Sequence, residues 1–251
     1  MKIVKGNYGE CRFCDNMDEE SGLPSLEDKS WDLCLTDPPY NLKFNGARHG
    51  TKEIQKKRNS EKIWYFDNLP SQDYYDWCWI WSLECFNKSN LTLITPGYAN
   101  FNQWILQYPE VHFGIWTDLH ANGGSSIASF RKFEPFLCFN FNIRKQHNRL
   151  KFAWLNIDEF FKTNTYGDFV HPCPKNEQLW SRFIKELKPE SIIDPFLGSG
   201  TTAQVCESLG IPWLGYELME EYVPDIEKRI QRGILKKKHA KKQQTLFPVN
   251  T

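Results

Sequence analysis

Short apolar runs that end in turn-forming or charged residues recur along the chain. Six of them read as strands: Trp31–Thr36, Asn90–Thr95, Val111–Trp116, Pro135–Asn142, Ser191–Asp194 and Pro212–Glu217. Between them, apolar residues fall at helical spacing in Tyr74–Phe86, Ala99–Leu106, Asn176–Leu187, Thr201–Leu209 and Tyr222–Ile230. This alternation predicts an α/β fold, a sheet with helices packed on its faces. Two stretches read as loops: Asn41–Asn68, polar and basic, and His120–Phe133, which contains Asn-Gly-Gly-Ser-Ser. The pattern of Arg144–Val170 is mixed and assigns to neither class. Residues 1–232 are expected to form one folded domain, and 233–251 a basic tail, disordered beyond one helical turn or two.

Length and composition narrow this picture. A chain of 251 residues with 40% hydrophobic content suffices for one α/β domain with a full core. No run approaches the roughly 18 apolar residues of a membrane helix, and the N-terminus lacks the regions of a signal peptide. A cytoplasmic protein with no membrane partner is expected. Most of the eight cysteines lie in strand-like runs, as Cys34 and Cys138 do, where they act as small hydrophobes. Cys11 and Cys14 form a Cys-x-x-Cys pair, but a tetrahedral zinc site needs two further ligands, so no metal is expected. The formal net charge is +0, yet Lys228–Lys242 carries eight cations and no acid, leaving the rest acidic. A second basic segment runs from Lys43 to Lys62.

Candidate chemistry begins with Ser191-Ile192-Ile193-Asp194-Pro195-Phe196-Leu197-Gly198-Ser199-Gly200-Thr201-Thr202. An apolar strand ends in an acid, passes through Gly-x-Gly and enters a helix. Open α/β sheets bind cofactors at such strand ends, where glycine lets a ligand approach the backbone. The carboxylate suits a cationic or hydroxylated ligand better than a phosphate, and no Gly-Lys-Ser/Thr follows. Glu217, at the end of the next apolar run, is spaced to hold two ribose hydroxyls. The pair favours an adenosine cofactor.

At the end of Trp31–Thr36 stands Asp37-Pro38-Pro39-Tyr40. Two prolines stiffen the turn and remove two backbone donors. The Asp37 carboxylate and the Pro38 carbonyl can then accept both hydrogens of an amino group, while Tyr40 offers a face for a base. A surface Pro-Pro turn beside a tyrosine is the minority alternative for this motif taken alone. Both motifs in one chain weigh against it.

Together these residues resemble the DNA amino-methyltransferases, which methylate adenine N6 or cytosine N4. In that family the Asp-Pro-Pro-Tyr tetrad is catalytic and Asp-Pro-Phe-x-Gly-Ser-Gly-Thr-Thr binds the cofactor. Here the tetrad precedes the cofactor motif, which resembles the circularly permuted beta class. Phe133-Glu134-Pro135-Phe136-Leu137 is similar to a short acid-containing strand start of the family. His171-Pro172-Cys173-Pro174-Lys175-Asn176 resembles the segment that caps the cofactor, although the family usually has Lys-Pro where this chain has Lys175-Asn176. Gly9-Glu10-Cys11 resembles the family's Gly-Asp-Cys, whose acid contacts the cofactor adenine.

The resemblance implies a Rossmann-like, seven-stranded methyltransferase sheet with S-adenosylmethionine as cofactor. It implies that Asp37, Pro38, Pro39 and Tyr40 are catalytic. It assigns cofactor binding to Glu10, Asp37, His171, Lys175, Asp194, Phe196, Gly198, Ser199, Gly200, Thr201, Thr202 and Glu217. The implied partner is DNA with a flipped-out base, since a paired base is inaccessible. The basic loop after the tetrad offers Lys43, Arg48, Lys57 and Arg58 for phosphate contact, with Gly123, Gly124 and Ser125 as a candidate loop near the base. A cognate restriction enzyme is a further partner the family admits. Gln243-Gln244-Thr245-Leu246-Phe247 bears a faint likeness to a sliding-clamp-binding peptide, although a charged, unstructured end accounts for it more simply. Adenine N6 is the expected acceptor, because cytosine-N4 enzymes more often carry serine before Pro-Pro-Tyr. Cytosine N4 methylation, RNA methylation and a non-catalytic DNA-binding subunit stay as alternatives.

Overall fold

Alternate residues of the central strands face opposite sides of one sheet, and each side is closed by its own helices. In β3 (Trp31–Thr36), Leu33 and Leu35 enter one core while Cys34 enters the other. Ile192 and Ile193 of β8 (Ile192–Asp194) divide the same way. Strands buried on both faces belong in the middle of a parallel sheet, and these two are neighbours there. The computed structural model describes residues 1–41, 69–117, 133–140, 154–156, 169–171 and 174–246.

The other described strands are β1 (Lys2–Lys5), β2 (Gly9–Phe13), β4 (Ser89–Ile94), β5 (His112–Thr117), β6 (Phe133–Phe139), β7 (Trp154–Asn156) and β9 (Trp213–Glu217). They form one mixed sheet in the order β1-β2-β9-β8-β3-β4-β6-β5-β7. The five strands from β2 to β4 are parallel, and β6 runs antiparallel to both β4 and β5. The described sheet therefore has nine strands where the resemblance implies seven. Seven of them, β2 through β5 in spatial order, make the expected sheet, and β1 and β7 extend its edges. Neither edge strand carries a strong pattern in the sequence. In β1 only Val4 is buried, between exposed lysines that suit a sheet edge, and β7 falls within the stretch of mixed pattern.

One face is covered by α3 (Glu177–Leu187), α4 (Thr201–Leu209) and α5 (Val223–Leu246); α1 (Ser71–Lys88) and α2 (Phe101–Gln107) cover the other. The Asn176 side chain caps α3 by accepting from the Gln178 N–H at 2.8 Å. That helix buries Leu179, Trp180, Phe183, Ile184 and Leu187, an apolar stripe at helical spacing. The second core is aromatic, with Tyr74, Trp81 and Trp104 fully buried. Helix α5 runs on to Leu246 rather than ending near Arg232 in the disordered tail that the composition suggests. Residues 234–246 hold five Lys, two Gln and two Leu, all good helix formers, and contain no proline. Lys236 also reaches Glu177, and Lys237 donates to Tyr8 Oη at 2.7 Å.

From β8 the chain continues through α4 to β9 on one side, while β3 leads to β4 on the other. The crevice at the carboxyl ends of β8 and β3 is the topological switch point, where open α/β sheets bind their ligands.

Candidate active site

Both sequence motifs meet at that crevice. Thr36, the last residue of β3, donates through Oγ1 to Asp194 Oδ1 at 2.8 Å across 158 positions of chain. Asp194 Oδ1 also accepts the Phe196 N–H at 3.1 Å, and its Oδ2 accepts Thr202 Oγ1 at 2.5 Å. Thr202 is in turn fixed by the Trp180 indole N–H at 2.8 Å. Asp194 thus shapes the turn after β8 from inside. Burial raises its carboxyl to about 6, against the pull of Thr202, Thr36 and the Phe196 N–H.

Gly198 has φ +54 and donates its N–H to Glu217 Oε2 at 2.8 Å. A Cβ on Gly198 would stand 2.9 Å from His171 Nε2, so glycine keeps the turn and His171 in contact. Glu217 Oε1 accepts the Met219 N–H at 2.9 Å. A carboxylate offers about four lone-pair sites, so accepting capacity remains for a ligand hydroxyl. Burial is the main cause that raises the Glu217 carboxyl to about 7, with the Met219, Gly198 and Leu218 N–H groups acting the other way.

The tetrad completes the crevice. Asp37 Oδ1 accepts Thr95 Oγ1 at 2.5 Å and the Tyr40 hydroxyl, and lies 2.9 Å from Lys175 Nζ. Lys175 also donates to Tyr40 Oη at 2.7 Å. Burial, then the charge of Asp37, pushes the Tyr40 phenol well above its ordinary range, with Lys175 opposing. Burial works against the Lys175 ammonium, yet Asp37, Tyr40 and Glu134 outweigh it and hold the group well above its usual value. Tyr74 Oη donates to the Pro39 carbonyl at 2.6 Å, and Asn100 Nδ2 donates to the Tyr40 carbonyl at 2.8 Å. Among the described residues, Asp37 Oδ2 and the Pro38 carbonyl accept no hydrogen bond. Gly97, at φ +71, lies flat against the Tyr40 ring, with a notional Cβ 2.9 Å from Cγ. One ring face is therefore backed by main chain.

An open cleft joins these parts. It is lined by Asp37, His171 and Lys175, by Asp194, Phe196, Gly198, Ser199, Thr201 and Thr202, and by Trp180 and Leu197. Tyr40, Gly200 and Glu217 adjoin it through the contacts above and the Gly200 N–H to Leu197 carbonyl bond of 2.9 Å. Glu10 is not brought there. It stands opposite Leu214, three register positions before the Phe13–Glu217 pair that ends the ladder, roughly 10 Å short of the cleft edge. Its carboxylate holds Arg12 Nε at 2.9 Å. The strand continues through Phe13, so the turn that reaches the cleft end is Cys14–Met17. There Asn16, buried, donates Nδ2 to the Pro195 carbonyl at 3.1 Å. Lys43, Arg48, Lys57 and Arg58, and Gly123–Ser125, lie outside the described residues. Thr36, Thr95, Tyr74, Asn100, Gly97, Trp180 and Asn16 are site residues the motifs did not announce. Asp15-Asn16 following an apolar Phe13 was the one available signal among them.

The sequence pattern of the N6 and N4 DNA methylases matches residues 31–228. The chain belongs to that family. Type II methyltransferase M.HpaI of Haemophilus parainfluenzae, a similar protein, is 26% identical over 83% of this chain and 70% of its own length. The cytosine-N4-specific PvuII DNA methyltransferase is similar in fold, with a TM-score of 0.61 at 18% identity over 94% of this chain and 93% of that one. M1.HpyAVI, solved as a complex with S-adenosylmethionine, gives a TM-score of 0.55 at 19% identity, covering 88% of this chain and 99% of that one. The Rossmann-like methylase fold is thus shared, and the cleft of this family member occupies its switch point.

Proposed function

We propose that this N6/N4 DNA methylase transfers a methyl group from S-adenosylmethionine to adenine N6 of a DNA base flipped into the cleft. The observation that carries the reading is the division of labour at Asp37. Three donors converge on Oδ1, and among the described residues neither Oδ2 nor the Pro38 carbonyl accepts a hydrogen bond, while Asp37 lines the cleft together with Gly198 and Ser199.

The cleft fits the cofactor. Glu217 offers lone pairs to a ribose diol, Trp180 and Phe196 give apolar walls, and the N-terminus of α4 suits a carboxylate. His171, packed against Gly198, closes one side. When bound, the cofactor supplies an electrophilic methyl group.

The residues of the chain prepare the acceptor. An aromatic amine is a poor nucleophile because its lone pair is delocalised into the ring. Acceptors at Asp37 Oδ2 and the Pro38 carbonyl hold its two N–H hydrogens and favour a pyramidal nitrogen. Tyr40, backed by Gly97, gives the base a fixed ring to stack on. Such positioning lowers barriers by up to roughly 7–11 kcal/mol. The proton that the methylated nitrogen must lose is on an N–H already directed at an acceptor. Lys43, Arg48, Lys57 and Arg58 follow the tetrad directly in sequence and are proposed to hold DNA phosphates. The similarity to a type II methyltransferase supports a place in restriction–modification, with a cognate restriction enzyme as partner.

Labelled S-adenosylmethionine and unmethylated duplex DNA, digested afterwards to nucleosides, test this. N6-methyladenine is expected, and Asp37→Ala abolishes it. N4-methylcytosine would retain the cradle and change the base, a second reading favoured by the similarity to a cytosine-N4-specific enzyme. Label in RNA and none in DNA would refute the substrate.

A further inference from the structure

Lys175 stands between the two halves of the site. Its carbonyl accepts from Thr201 Oγ1 at 3.2 Å and from Arg229 at 3.5 Å, so its main chain is tied to the first residue of α4. Arg229 is buried, lies 4.2 Å from the Phe169 ring centroid and donates to Gln204 Oε1 at 2.9 Å. Asp225 of α5 fixes the same segment by accepting the Val170 and His171 N–H groups at 3.0 and 2.7 Å. From this anchored position the lysine side chain crosses to the tetrad, where its ammonium meets both Asp37 and Tyr40.

The ammonium settles an ambiguity in the cradle. A phenol can donate or accept, and a carboxylate can turn either oxygen toward a donor. With Lys175 donating to Tyr40 Oη, the tyrosine hydrogen has to point at Asp37. With Lys175, Tyr40 and Thr95 all on Oδ1, Oδ2 accepts from none of the described residues and is the oxygen left for a ligand of the cleft that Asp37 lines. Charged donors of this kind hold geometry more firmly than neutral ones.

We infer that Lys175 is a positioning residue for the target amino group, acting through Asp37 and Tyr40, and not the cofactor ligand that the resemblance suggests. Its anchorage to Thr201 makes the cradle's geometry follow the cofactor turn. The inference rests on the methyltransferase reading above.

Lys175→Met and Lys175→Arg decide it. S-adenosylmethionine affinity is measured by calorimetry without DNA, and the methyl-transfer rate by single turnover on unmethylated duplex DNA at saturating cofactor. The expected result is cofactor affinity within about threefold of wild type for both variants. The rate falls about 100-fold in Lys175→Met and returns to within about tenfold of wild type in Lys175→Arg. Affinity falling in parallel with rate, or a rate unchanged in Lys175→Met, overturns the inference. A merely structural lysine would lower melting temperature and cofactor affinity together. Should Lys175→Met not fold, Lys175→Gln against Lys175→Arg reads the same split, since glutamine keeps a donor without the charge. Wild-type protein that binds the cofactor and labels no DNA would refute the function itself, a separate result.

Discussion

Gly97→Ala probes the cradle without touching any group that contacts a ligand directly. Gly97 adopts φ 71, ψ 154, a region that only glycine enters without strain. A side chain there costs about 1–3 kcal/mol in backbone strain. Its Cβ would also stand 2.9, 3.0 and 3.1 Å from Cγ, Cδ2 and Cδ1 of Tyr40, against about 3.5–4.0 Å for an ordinary carbon contact. The shortfall is roughly 0.5–1 Å, and overpacking of this size costs a further ~1–3 kcal/mol.

Relief is available in two directions, and both damage the site. The Tyr40 ring can move, but its hydroxyl is tied to Asp37 and Lys175 and its carbonyl to Asn100. Alternatively the turn can move, carrying Thr95 and its 2.5 Å bond to Asp37. A displacement near 1 Å in a positioning site costs on the order of 100-fold in rate. The expected outcome is a folded protein destabilised by roughly 2–6 kcal/mol, with normal cofactor affinity and single-turnover methylation down 10- to 100-fold, in about the range such misplacement produces. Denaturant unfolding, cofactor calorimetry and rapid-quench kinetics check the three parts. A stable variant whose transfer rate stays within about twofold of wild type would show that the Tyr40 ring is not held where the chemistry needs it.

Three further outcomes follow from the same geometry. Thr95→Val removes one charge-assisted donor from Asp37 at nearly constant volume; transfer should slow about 10-fold or more with cofactor affinity intact, and an unchanged rate would show that Lys175 and Tyr40 hold Asp37 unaided. Glu217, raised to about 7, should be ionised to bind the ribose hydroxyls, so cofactor affinity should weaken as pH falls from 8 through 7 to 6. Glu217→Gln should bind weakly at all these pH values, and a wild-type affinity flat from pH 8 to 5.5 would contradict this role. Asp194 has a folded value of about 6, above its ordinary value of 3.8, so the native state binds the proton more tightly. Its ionisation opposes folding above pH 6, and that opposition is lifted as pH falls toward 4, by up to ~3 kcal/mol. Asp194→Asn should flatten this part of a stability–pH curve from urea unfolding; an identical curve would argue against a strained buried carboxylate.

The central strands and most helices were legible because burial on two faces leaves long apolar runs. Trp31–Thr36 and Thr201–Leu209 match the structure at both ends. The edge strands were not, since Val4 alone cannot mark a period of two and the 144–170 stretch has none. Glu10 shows the limit of motif likeness. Gly-Glu-Cys resembles the family's Gly-Asp-Cys, but where Glu10 stands depends on the register of its strand with β9, which tertiary pairing sets. Lys175 was placed at the site by the sequence, but its contacts with Asp37 and Tyr40 were not legible there, because its reach depends on where Thr201 and Arg229 anchor its carbonyl.

A deeper reason separates the residues the motifs revealed from those they did not. Groups proposed to touch a ligand, such as Asp37, Tyr40 and Glu217, must appear in a fixed local chemistry, which a short string can encode. Groups that hold them, such as Thr36, Thr95, Tyr74 and Asn100, are single polar residues in otherwise apolar or aromatic surroundings. Their partners are fixed by sheet order and not by sequence distance. The Thr36–Asp194 bond exists because β3 and β8 are neighbours, and it would survive any permutation of the connections that kept them so. The same adjacency explains how a tetrad that precedes its cofactor motif by more than half the chain can still share one carboxylate-lined crevice with it. The site depends on two strand ends being side by side, and the order in which the chain visits them is free to change.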